Sequence, residues 1–292
     1  MFDIESYHKA DSVDKAISLL SQNPNAIPIA GGTDVLVRLR QGNPDYGHIV
    51  DIHDVADLKK IMIEADGTIV VGSGATFTDL ITSPIITDNI PVLAQGAGAV
   101  GGPQVRNQAT VGGNICNGAP SADSAAPLLV LNAMVELKGP QGLRRIPLHE
   151  FYQGPGRVDR EQAEIMTALR IAPDDFQCWV SSYQKYAMRD AMDIATIGCA
   201  LACLPQGKQL DKLRLAFTVA GPTPLRCWKT EEKARGAALD QSLVQLVGES
   251  VLGDLRPRDS WRAPKDLRQQ IIKTLAQRVL IQVLQQLGVS LT

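Results

Sequence analysis

A chain of 292 residues with 45% hydrophobic and 21% charged side chains has material for a sizeable core and about two domains. A net charge of −2 and 4% aromatic residues exclude a nucleic-acid groove, which needs basic patches and stacking rings. No apolar run reaches membrane-spanning length, and the opening MFDIES carries acids where a secretory signal carries bases. A cytoplasmic protein that binds neither membrane nor nucleic acid is expected. The five cysteines are odd in number, scattered and free of any C-x-x-C spacing, as in a reduced compartment. Cys199 and Cys203, four apart in an apolar run, read as small core residues.

In chain order, Ile4 to Tyr7 predicts a strand. The next segment places Val13, Ala16, Ile17 and Leu20 on one helix face, with Ser12 as its cap. Ala26 to Ala30 is a second strand that breaks into Gly31-Gly32-Thr33. A helix from Asp34 to Arg40 then turns Val35, Leu36 and Leu39 inward, and Ile49 to Ile52 is a third strand. This β-α-β-α-β order predicts an α/β unit, with an anion site where the second helix begins. Ile69 to Val71 is a strand and Phe77 to Ile81 a helix start.

From Gly96 to Pro127 the sequence changes character. Between Gln95 and Ala122 its one formal charge is Arg106, and seven residues are glycine. Such a segment has little to bury, so its value lies in main chain that a ligand can approach closely. Gly96, Gly98 and Gly101 spell the dinucleotide fingerprint, with Asp123 about twenty residues on. That fingerprint requires a strand before it and a helix opening at its third glycine. Gly102, Pro103, Gly112 and Gly113 follow with no helical periodicity, and the match is read as accidental.

Beyond this stretch, Ala125 to Asn132 predicts a helix, and Met134 to Lys138 with Arg144 to Pro147 a hairpin. Ala163 to Ile171 completes the first half, and Pro173-Asp174-Asp175 marks a boundary. Val180 to Met188, Ile194 to Leu204 and Leu213 to Ala220 read as buried or half-buried strands. Helices are expected at Ser242 to Leu252 and Leu267 to Leu287. The latter carries Leu267, Ile271, Leu275, Val279 and Val283 on successive turns, and Gly288 ends it.

Ala30-Gly-Gly-Thr-Asp34, the string Arg106-Asn-Gln-Ala-Thr-Val-Gly-Gly-Asn-Ile115 and the segment Tyr183 to Ala195 together carry a resemblance. The whole chain resembles the FAD-binding subunits of xanthine dehydrogenases, within the molybdenum hydroxylases. The resemblance implies an α+β chain with an FAD-binding fold of the p-cresol methylhydroxylase and vanillyl-alcohol oxidase type. That fold would occupy residues 1–175, in two α/β subdomains of about 1–55 and 56–175. A smaller C-terminal α/β domain would occupy 176–292.

Carried over by residue, the resemblance implies that Ile27, Pro28, Ile29, Ala30, Gly31, Gly32, Thr33 and Asp34 hold the FAD pyrophosphate through main-chain N–H groups. Ala109, Thr110, Val111, Gly112, Gly113 and Asn114 would hold it from the other side. Asp123 would bond the adenosine ribose, Ile165 or Met166 would lie against adenine or flavin, and Lys185 would approach the isoalloxazine or remain a solvated strand lysine. Arg106 would add a charge-assisted phosphate contact or make a structural salt bridge. Neither loop holds His or Tyr and Cys116 is the one thiol nearby, so FAD is expected to be non-covalent.

The chain shows no cysteine pattern for iron–sulfur clusters, no metal-hydrolase histidines and no molybdopterin site. Electrons would arrive from a [2Fe–2S] subunit, the substrate would react on a molybdopterin-binding catalytic subunit, and NAD+ would accept from FAD. Hypoxanthine and xanthine are the substrates the resemblance implies. No catalytic acid or base and no metal ligand is assigned to this chain. Two other readings are a stand-alone flavoenzyme of the same fold and a scaffold subunit that has lost its flavin; the intact glycine pairs argue against the second.

Overall fold

The computed structural model describes residues 4–291; Met1 to Asp3, where the MFDIES segment begins, and Thr292 lie outside them. The first unit runs β1 (Ser6–Lys9), α1 (Val13–Gln22), β2 (Ile27–Ile29), α2 (Val35–Arg40) and β3 (His48–Asp51). Its strands pair in parallel in the order β1-β3-β2, so β2 and β3 end on the same edge. The Ser12 hydroxyl accepts from Lys15 N at 3.3 Å and caps α1, whose Ala16, Ile17 and Leu20 are buried. Such a cap stabilises a helix by about 1 kcal/mol. In the short α2, Leu39 is buried, while Leu36, expected inward, is exposed. A helix of under two turns has a single position directly over the sheet.

The second unit is a five-stranded antiparallel sheet flanked by short helices. Its elements are β4 (Ile61–Ile63), β5 (Ile69–Gly72), α3 (Phe77–Thr82), α4 (Pro84–Asn89), α5 (Pro91–Gly98), α6 (Pro103–Gln108), α7 (Val111–Cys116), α8 (Ala125–Val130), β6 (Met134–Gly139), β7 (Gly142–Pro147), α9 (Leu148–Phe151), β8 (Tyr152–Gly154), β9 (Arg157–Val158) and β10 (Ile165–Ile171). The sheet order is β4-β5-β10-β6-β7. The glycine-rich stretch, read as lacking helical periodicity, is largely helical. Pro91 and Pro103 open α5 and α6, and the Thr110 hydroxyl caps α7. Helices of six to eight residues built from glycine and small side chains leave no apolar stripe for periodicity to detect. The fingerprint remains accidental, because α5 rather than a strand leads into it.

The third unit is an antiparallel sheet of β11 (Val180–Tyr186), β12 (Ile197–Gln206), β13 (Gln209–Thr218) and β14 (Leu225–Arg226). Three helices follow, α10 (Trp228–Ala234), α11 (Gln241–Ser250) and α12 (Lys265–Gln286). Residues on β12 alternate between two cores. Ala200 and Ala202 join the core around α8, whereas Cys199, Leu201 and Cys203 join the one under α11 and α12. Burial on both faces explains the unbroken apolar run. On α12, Ile271, Leu275, Val279 and Val283 are buried, but Leu267 is exposed. Arg268 takes the inward place in that turn, donating to Thr196 O and Ser260 Oγ at 2.6 Å each.

Buried arginines join the second and third units. Arg214 donates to Val130 O at 3.1 Å and Asp175 Oδ1 at 2.7 Å, and Arg226 to Asn132 Oδ1 at 2.6 Å.

Candidate cofactor site

A cavity of about 580 Å³ opens where the turn after β2 meets α6 and α7, within the range of small-molecule sites. Of the residues expected there, Ile27, Pro28, Ala30, Gly31, Gly32, Thr33, Asp34, Ala109, Thr110, Gly112, Gly113, Asn114, Asp123, Ile165 and Met166 line it. Ile29, Val111 and Lys185 do not; the first two side chains point into core. Both Ile165 and Met166 reach the wall, although the sequence offered them as alternatives. The register shift after Met166 breaks the strict alternation of β10 at this point.

The turn after β2 supplies open donors. Gly32 holds φ +70°, a conformation that favours glycine, and the N–H groups of Gly31 through Asp34 have no acceptor among the described residues. Gly31 has a different role: a Cβ there would overlap the Gln108 carbonyl oxygen, so this glycine lets the two loops touch.

The second loop is built differently. Val111 N donates to Ala75 O at 3.0 Å, Gly112 N to Ser73 O at 2.8 Å, and Asn114 N to Thr110 O at 3.0 Å. Gly113 N donates to Thr110 Oγ1 at 3.2 Å. These four amides are engaged, so an anion held by open amides meets them on the first loop. Here the wall presents Thr110, the Cα of Gly113 and Asn114, whose Oδ1 accepts from Ser124 Oγ at 2.7 Å. A Cβ on Gly112 would overlap Ser73, whereas one on Gly113 would meet only Thr110 Oγ1 at 2.9 Å.

Asp123 is buried in the wall and held from behind. Oδ1 accepts from the Tyr183 hydroxyl and Oδ2 from Lys185 Nζ, each at 2.8 Å. Burial pushes its carboxyl up, while Lys185 and Tyr183 pull it back down. The other Lys185 protons go to Ala99 O at 2.9 Å and Asp193 O at 2.7 Å. The reading of Lys185 as a solvated strand lysine is thereby corrected. It is a buried latch behind Asp123, with its three donors engaged.

Arg106 is also corrected: it donates to Val100 O at 3.0 Å and fastens the turn between α5 and α6.

Several wall residues were not among those expected to bind the cofactor. Ser73 and Gly74, Arg38, Tyr46, His53, Cys116, Arg160 and the segment from Met192 to Ile194 all line the cavity. They come from separate elements and belong to no glycine motif; His53 follows directly on β3 and was the most accessible to inference from topology. Its Nδ1 is buried without a hydrogen-bond partner among the described residues. Burial pushes the Cys116 thiol up to about 11, which leaves it protonated and a poor nucleophile at neutral pH.

Open amides on one side, an unpartnered buried ring nitrogen and a cavity of this size fit a bound dinucleotide such as FAD. Residues 2–173 match the FAD binding domain in molybdopterin dehydrogenase, and residues 182–283 the CO dehydrogenase flavoprotein C-terminal domain. The chain belongs to the flavoprotein-subunit family of the molybdenum hydroxylases. It is 48% identical to the xanthine dehydrogenase FAD-binding subunit of Escherichia coli O157:H7 over 96% of each chain. It is 32% identical to the carbon monoxide dehydrogenase medium chain of Hydrogenophaga pseudoflava, over 94% of this chain and 95% of that one. A solved carbon monoxide dehydrogenase from Hydrogenophaga pseudoflava, lacking the Mo-pyranopterin moiety of its cofactor, superposes with a TM-score of 0.91. That match covers 97% of this chain and 98% of the other at 29% identity. The family fold accounts for the mixed architecture expected from the sequence, a cofactor-binding part followed by a C-terminal domain.

Proposed function

We propose that this chain is the FAD-carrying subunit of a xanthine dehydrogenase-like molybdenum hydroxylase. In this reading it takes electrons from [2Fe–2S] clusters on one partner subunit and delivers them to NAD+. Hypoxanthine or xanthine is oxidised on a second partner, which binds molybdopterin. The observation that carries the reading is the 48% identity to a xanthine dehydrogenase FAD-binding subunit along nearly the whole chain.

The chemistry of the site is consistent with a relay. When bound, FAD supplies a carrier that accepts electrons singly and releases them as a hydride. The open amides of Gly31 through Asp34 would bind its phosphates, with Thr110 and Asn114 opposite. Asp123, fixed by Tyr183 and Lys185, would accept from a ribose hydroxyl. Ile165 and Met166 would pack on a ring, and the protonated Cys116 favours non-covalent binding. Among the described residues no group of three or more His, Cys, Asp or Glu is placed to hold a metal. No described helix is long and apolar enough to cross a membrane.

Anaerobic stopped-flow absorbance tests this. The flavin-loaded chain alone should be bleached by NADH and not by xanthine. Adding the molybdenum and iron–sulfur subunits should make xanthine-driven bleaching appear. Rapid bleaching of the isolated chain by xanthine would overturn the relay reading.

A further inference from the structure

Arg160 stands in the cavity wall just before β10. Its Nη1 donates to three main-chain carbonyls, those of Glu161 at 3.0 Å, Gln162 at 3.2 Å and Glu164 at 2.8 Å. Its Nε and Nη2 have no partner among the described residues. Glu164 feels the Arg160 charge but makes no direct ion pair with it, because that carboxylate is taken by Arg144 at 2.6 and 2.7 Å and by Glu161 N at 2.7 Å. A planar cation is therefore locked at the wall with donors to spare.

Its surroundings suit a flat heterocycle. Ile165 and Met166 are apolar, and Cys116, which feels the Arg160 charge, is a neutral thiol. A guanidinium binds a π-face by cation–π attraction and ring nitrogens through its fork of N–H groups. FAD carries two flat rings, and only one of them exchanges electrons. The segment around Arg160 is pinned by Gln162, whose Nε2 donates to Asn23 O at 3.1 Å and Ala26 O at 3.2 Å. Elsewhere the wall includes Met192 and Ile194, which are 59% and 48% exposed. A flavin that exchanges electrons with other molecules needs the accessible part, and a base that serves as a handle takes the pinned part.

We propose that Arg160 is the adenine-recognition residue of the site, binding the purine half of the dinucleotide. The proposal rests on the FAD reading above. Flavin-stripped full-length chain, as wild type, Arg160→Met and Arg160→Lys, is titrated with FAD and with FMN by flavin fluorescence. Displacement of FAD by ADP, which carries the adenine half alone, is measured alongside. Arg160→Met should weaken FAD and ADP alike by about ten- to thirtyfold, the range of a well-desolvated cation–π contact, and leave FMN unchanged. Arg160→Lys keeps the charge but loses the plane and the fork, so it should behave like Arg160→Met.

Equal losses for FAD and FMN would make Arg160 a staple of the turn and overturn the proposal. So would unchanged FAD binding, or full recovery in Arg160→Lys, which would assign a bare charge near phosphate. Wild-type chain that binds no FAD would overturn the cofactor reading itself and this proposal with it. Wild-type FAD binding with no effect of Arg160→Met overturns this proposal alone.

Discussion

The Lys185 ammonium lies 2.8 Å from Asp123 Oδ2, and its two remaining hydrogen bonds reach Ala99 O and Asp193 O. One side chain thus fastens the cavity wall, the end of α5 and the segment before β12. Both partners are largely buried, so the pair matters less for its own attraction than for what its loss would leave behind.

Lys185→Met should destabilise the chain by about 3–5 kcal/mol, the cost of stranding a buried charge. The loss should depend on pH. Burial already holds the Asp123 carboxyl above its unfolded value although Lys185 lowers it, so removing the lysine raises it further. A group raised in this way contributes stability that is fully present at low pH and is lost as pH rises through its folded value. The penalty should therefore be largest in alkaline buffer and shrink toward the carboxylate range. Urea titrations of wild type and Lys185→Met across pH measure this, and a penalty independent of pH would show that Asp123 does not respond to the loss.

The adjacent glycines of α7 should separate folding from binding. Gly112→Ala drives a Cβ into Ser73 and should lower the midpoint of unfolding even without flavin. Gly113→Asp displaces only the Thr110 hydroxyl, a cap worth about 1 kcal/mol, yet places a carboxylate in the cavity wall. It should retain the fold and lose FAD. Thermal melts of the apo chain, paired with flavin content after reconstitution, distinguish the two variants. Full occupancy in Gly113→Asp would remove this loop from the site.

Cysteine alkylation offers a third check. Cys178 is exposed, whereas burial pushes the Cys116 thiol up to about 11. Iodoacetamide near neutral pH should label Cys178 first, leave Cys116 slow, and accelerate at Cys116 as pH approaches that value. Bound FAD should slow Cys116 further. Peptide mapping by mass spectrometry reads both sites, and early labelling of Cys116 would contradict its half-buried, protonated state.

The sequence carried α1, α12 and β12 well, because the two helices have enough turns for an apolar stripe and the strand has enough length for its run to stand out. It also carried the glycine loops, whose composition is the signal. What it could not carry was division of labour within them. Gly31 and Gly112 exist for packing, Gly32 for its φ and Gly113 for open wall, and four identical letters conceal these roles. Lys185 shows a second limit. Its strand position left solvent and ligand as the options and gave no sign of its partner Asp123, sixty-two residues away. Arg160 and His53 are isolated in sequence and share a cavity only through topology.

The core around α8 includes Tyr183, Ala200, Ala202 and Ala216, all supplied by the third unit. During synthesis the chain therefore presents its cofactor loops before the strands that complete them have left the ribosome. Asp123 in particular waits for Tyr183 and Lys185 to emerge before its carboxylate is fixed. The last part of the protein to be made is the part that finishes the wall, which makes a truncated chain a poor holder of its cofactor even when every glycine is present.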